Sequence, residues 1–297
     1  MATPAADASL PPEPRITRET AADILFLPGV TRPDACVGGD DEIIRCLIRT
    51  RYAGDPEAAT LATDLYAGSG AVAGVEVERT MDGGYRGMLH LVPALPSKVN
   101  RVHLAHVVHA FADYEAFFSA LLRDHEGRIP YRWRALAVRF FRSVKARTPS
   151  AYASGWTVAY NLAGSLNIND DSVRETLFHE IFHLNDAAHD DWSRRTLKES
   201  YDTILARCGT STACLAPFAP GSTKVRGGTY YAFQPGNDVA EYAAELAIRY
   251  YREQRGALSL GPKVVPPFKC MRPENARAWA ALVQEFFAGI DHTSGCW

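Results

Sequence analysis

The sequence predicts an α+β protein: a small sheet formed in the first half of the chain, several long helices, and a mainly helical last third. Three observations carry this. Two alternating runs, "GAVAGVEVERTM" and "YRGMLHLVPAL", are joined by "DGG", a hairpin signal. Apolar residues recur at helical spacing from about Val102 to Arg123, with Leu104, Val107, Val108, Phe111, Phe118, Leu121 and Leu122 on one stripe. Late in the chain, "NDVAEYAAELAIRYYREQRG" is a third periodic run, opened by an aspartate and closed by a glycine.

In chain order, residues 1–20 are rich in Ala and Pro and read as a disordered lead. Residues 21–190 form an N-terminal lobe, and 191–297 a helical C-terminal lobe. "DDEIIRCLIRTRY" and "DPEAATLATDLY" read as two short helices, the second capped by Asp55 with Pro56 in its first position. The hairpin and the long helix follow. That helix carries His103, His106 and His109, whose spacing drifts around the axis with no carboxylate in register, so they read as ordinary, partly exposed histidines. "WRALAVRFFRSVKA" is a second long apolar-periodic stretch and is assigned with the long helices. "GSLNIND" reads as a short strand, with Leu166 and Ile168 alternating.

Composition bounds the function. With 297 residues, 47% hydrophobic and 22% charged, the chain has ample material for a core. A net charge of -2 and a pI near 6.5 argue against a nucleic-acid or anionic-membrane partner. No apolar run is long enough to span a bilayer, and a monomer is expected. Six cysteines fall into sequence-local pairs, Cys36 with Cys46, Cys208 with Cys214 and Cys270 with Cys296, which suits three disulfides and an oxidising compartment. The N-terminus lacks a signal-peptide pattern, so a secreted or periplasmic location implies that the signal was already removed before Met1.

The chemistry concentrates in "ETLFHEIFHLND". "SVRE" ahead of it reads as a capping box between Ser172 and Glu175, starting a helix at Val173. On that helix His179 and His183 lie one turn apart and can grip one ion, while Glu180 points about 100° away, where it can act as general base. Imidazole suits a borderline-soft ion such as Zn²⁺, and a neutral pair of ligands leaves that ion electrophilic.

A catalytic zinc site needs a third protein ligand, and three residues compete. His189 stands where metzincins place a third histidine, but Asp186 occupies the glycine position that would turn the chain back. Glu199 lies near a thermolysin-like spacing, with Asp202 one residue too close. Glu241 is the strongest candidate. It stacks with Glu245 at i, i+4, a repulsive pair on a plain helix surface that a metal relieves, with Glu241 binding and Glu245 orienting His179.

With "HEIFHLND" and "AEYAAELA" in place, and "GGTYYAFQPGND" upstream of the second, the chain resembles the gluzincin metallopeptidases, most of all the anthrax lethal factor-like catalytic domains. The resemblance covers roughly residues 150–255. It implies a zincin-like fold, with a small twisted sheet over the HExxH helix and a helical C-terminal lobe. It also implies Tyr231 or Tyr230 as donor to the oxyanion, Asp186 as a supporting residue beside the ligands, and an edge strand that binds substrate, for which "GSLNI" is the candidate. The expected function is a zinc-dependent endopeptidase acting on a polypeptide with Glu180 as general base and one catalytic Zn²⁺. The rivals are a non-catalytic zinc-binding protein on a zincin scaffold and a metzincin-type peptidase using His189.

Overall fold

The computed structural model describes residues 14–30, 35–83, 87–225 and 227–296. Helix α1 (Arg18–Leu25) starts inside the stretch expected to be disordered, capped by Thr17. The lead therefore ends earlier than residue 20, and its first 13 residues lie outside the described residues. Helices α2 (Asp40–Arg51) and α3 (Pro56–Ser69) form as expected. The Asp55 carboxylate caps α3 by accepting from the Ala58 amide, and also takes the Lys98 amide and Arg101 guanidinium. One carboxylate thus ties α3 to the start of α4 (Arg101–Leu121).

The hairpin expected at "DGG" is made by β2 (Arg79–Asp82) and β3 (Met88–Pro93), paired antiparallel; its tip at 84–86 lies outside the described residues. The run before the turn is not one strand. Its first part, β1 (Val72–Val75), pairs parallel with β4 (Ala137–Ser143). The stretch assigned with the long helices is thus the central strand. β4 is flanked by β1 and then β3 on one side and by parallel β6 (Thr157–Asn161) on the other. Both its faces meet apolar side chains, so its apolar residues do not alternate cleanly and mimic a helical period. Val138 and Phe140, level with Val158 and Tyr160, join the main core, while Phe141 joins Leu89, Leu91 and Ala159 in a small cluster of its own.

The edge is also placed differently from the sequence expectation. "GSLNIND" is a series of turns, and Leu166 and Ile168 are exposed. Buried Asn167 holds this segment down by donating to the carbonyls of Ser150 and Asn161, which leaves no strand ladder there. The edge strand is β5 (Ala151–Ser154), antiparallel to β6 across a tight turn at Gly155 and Trp156, both left-handed.

After the sheet come α5 (Asp170–Ala188), α6 (Trp192–Thr196), α7 (Lys198–Cys208), α8 (Thr212–Leu215), α9 (Val239–Ala257) and α10 (Pro273–Phe286). The protein is mixed α+β, with one apolar core continuous from α1 to α10. Three disulfides form, Cys36–Cys46, Cys208–Cys214 and Cys270–Cys296. Among the described residues no helix is long and apolar enough to cross a membrane.

Candidate metal centre

Helix α5 begins three residues earlier than expected. Asn169 is the cap, accepting from the Ser172 amide at 2.9 Å while the Ser172 hydroxyl accepts from the Asn169 amide. Glu175 is therefore free of capping and does something else: Arg252 of α9 grips it with two hydrogen bonds of 2.5 Å. This fork sets α5 against α9, one turn before His179 on α5 and two turns after Glu245 on α9. Val173, Leu177, Phe178, Ile181 and Phe182 bury the rest of α5, so its histidines are held on a fixed helix.

Across that interface His179, His183 and Glu241 converge. Their ligand atoms lie within 4.8 Å of one another, the one such group among the described residues. His179 Nε2 is 3.0 Å from His183 Nε2 and 3.1 Å from Glu241 Oε2, and His183 Nε2 is 3.7 Å from Glu241 Oε1. Ligands about 2.1 Å from a tetrahedral zinc stand roughly 3.4 Å apart, and separations of 3.0–3.7 Å lie within a few tenths of an ångström of that spacing. The donor set, two imidazoles and a carboxylate, suits zinc as well.

The electrostatics agree with a site made for positive charge. Burial opposes a charged His179, but the Glu241 hydrogen bond and charge, helped by Glu180 and Glu245, raise its pKa to about 9. Burial and the His179 charge push His183 down to about 4. Burial favours a neutral Glu241, yet His179, His183 and Tyr231 hold it at about 2.

Two further groups face this cluster. Burial raises Glu180 to about 7, with His179 opposing and Glu241 reinforcing, and no hydrogen bond holds its carboxylate among the described residues. The Tyr231 hydroxyl donates to Glu241 Oε2 at 2.9 Å, and burial with the adjacent carboxylate raises its pKa, so it stays a protonated donor. Tyr230, its rival in sequence, packs under Lys224 instead. Glu245 Oε1 faces His179 Nδ1 at 3.8 Å from behind.

The remaining candidates lie elsewhere. His189 ends α5, bonds Glu285 at 2.7 Å and packs against Phe286 of α10. Asp190 and Asp191 adopt left-handed conformations that turn the chain into α6, which carries His189 away from the cluster. His189, the third ligand of the metzincin alternative, is thus outside the cluster. Glu199 is exposed on α7 and outside the cluster. Asp186, expected beside the ligands, is buried and accepts from the amide and hydroxyl of Ser193, fixing the corner between α5 and α6. The carboxylate that α4 lacks for its histidines comes from α5, where Asp170 takes hydrogen bonds from His106 and His109, while His103 bonds the Tyr160 hydroxyl.

No protein-family model, curated protein or solved structure matches the chain. Any functional reading therefore rests on the cluster itself. Sequence reasoning missed the Glu175–Arg252 fork and Asn185, which bonds the Arg132 backbone in both directions and ties α5 to the segment entering β4. The i, i+7 spacing of Glu245 and Arg252 on α9 was the available signal for the fork. Asn185 leaves no comparable mark.

Proposed function

We propose that this protein is a zinc-dependent endopeptidase of the gluzincin type, acting outside the cytoplasm. The observation that carries the reading is the meeting of His179, His183 and Glu241 from two helices at zinc-like separations, with Glu180 and Tyr231 beside them. His179 and His183 from α5 and Glu241 from α9 hold the ion. When bound, zinc supplies Lewis-acid polarisation of the scissile carbonyl and acidifies water.

The chain's own residues supply the rest. Glu180, with a carboxyl tuned near neutrality, accepts a proton from the attacking water and returns it to the departing amine. Tyr231 donates to the carbonyl oxygen as negative charge develops on it. Glu245 fixes the His179 ring. The exposed edge of β5, rather than "GSLNI", is where an extended peptide adds as a further strand. Three disulfides support a secreted or periplasmic setting.

Glu180→Ala tests the reading, and separates it from a zinc-binding protein without activity. The variant is expected to keep its zinc and lose cleavage of casein or a peptide library by roughly 10²- to 10⁴-fold. Wild-type cleavage is expected to stop with phenanthroline. Full activity in Glu180→Ala, or cleavage indifferent to phenanthroline, contradicts it.

A further inference from the structure

One loop reaches two of the carboxylates of α9, Glu241 and Glu245. Residue 226 apart, which lies outside the described residues, it comprises 221–231, is closed by the Tyr231 amide donating to the Thr223 carbonyl, and is bridged between Lys224 and Tyr230. Its far end carries Tyr231 to Glu241. Its near end brings the bare Cα of Gly221 against Glu245. A Cβ at 221 would lie 1.9 Å from Glu245 Oε2 and 3.2 Å from Cδ, and among the described residues nothing else comes within 4 Å of that point. Gly221 is not in the left-handed region, so its conformation does not require glycine. The space does.

We infer that Gly221 is a positioning residue for the metal centre, its missing side chain leaving the room in which the Glu245 carboxylate stands behind His179. This rests on the zinc reading above. Glu245 is buried, and among the described residues no hydrogen bond fixes its carboxylate, so packing decides where it stands. Its Oε1 faces His179 Nδ1 at 3.8 Å, while its Oε2 faces Gly221. A methyl at 221 needs roughly 3.5 Å of clearance, so the carboxylate must move by more than an ångström. Swinging aside, it takes its charge away from the Nδ1 that it faces at 3.8 Å. Driven forward, it closes that gap and draws the ring from its present place. Either movement disturbs the ring that binds the ion. Because the crowded atom ends a side chain, the backbone need not shift and the fold is expected to survive.

The test is Zn²⁺ affinity of the full chain, stripped of metal and titrated against a chromophoric chelator. Gly221→Ala is expected to weaken binding about 10- to 100-fold while the metal-free melting temperature stays close to wild type. Because the crowding acts through Glu245 alone, Gly221→Ala with Glu245→Ala, which removes the crowded carboxylate, is expected to bind no more weakly than Glu245→Ala by itself. Should Gly221→Ala not fold, a folded double variant that binds Zn²⁺ sustains the inference, and an unfolded one overturns it. Wild-type affinity in Gly221→Ala, or a double variant that binds more weakly than Glu245→Ala alone, also overturns it. A wild-type protein that takes up no Zn²⁺ overturns the proposed function, and this inference with it.

Discussion

At the scale of single residues, the proposed function divides the work between groups that would bind the ion and groups that would move protons. Glu241 is held ionised by the histidines and Tyr231, whereas Glu180, on the neighbouring helix, is pushed towards neutrality by burial. Environment alone pushes the two glutamates in opposite directions, as the roles proposed for them require. In the proposed mechanism Tyr231 is the remaining donor, and its removal tests the oxyanion role proposed for it. Tyr231→Phe is expected to lower kcat roughly 10²-fold with zinc content unchanged, and Tyr230→Phe to stay within about twofold of wild type. Steady-state kinetics on one peptide check both, and equal losses in the two variants would contradict the assignment. That His179 and His183 meet Glu241 was legible in sequence because side-chain identity and helical spacing bring them to facing helices. The choice between Tyr230 and Tyr231 was not, because it depends on which face of a short turn the loop presents.

At the scale of elements, legibility followed periodicity. Helices α2, α3, α4 and α9 were readable from caps and stripes. Strand β4 was not, because a strand buried on both faces loses its alternation, and "GSLNI" imitated a strand that Asn167 in fact pins as turns. The β5–β6 turn could have been found from Gly155 between two alternating runs. No pattern announced how the C-terminal segment is fastened. There, Asp291 accepts from Gln254 of α9, Trp279 of α10, Lys269 and Thr293. Burial opposes its charge, but those donors hold its pKa at about 2, below the ordinary value of about 3.9. A depressed carboxylate stabilises above its unfolded pKa, and that contribution fades as pH falls through the folded one. Asp291→Asn is therefore expected to cost about 2 kcal/mol at pH 7, with the gap to wild type closing between about pH 4 and pH 2. Denaturant unfolding across that range measures it; a gap independent of pH would contradict the role given to the charge.

At the scale of the whole molecule, the site exists because one continuous core brings α5 and α9 together although about 60 residues separate their ligands. The Glu175–Arg252 fork and the buried face of α5 set the two helices in register. The loop from Gly221 to Tyr231 then addresses α9 from outside. That assembly makes one claim above the others, that a single ion sits between two helices. Anomalous diffraction at the zinc edge from crystals of the zinc-loaded protein tests it most directly. The expected result is one peak about 2.1 Å from His179 Nε2, His183 Nε2 and a Glu241 oxygen. A peak on His189 or Glu199, or none at the cluster, would contradict it.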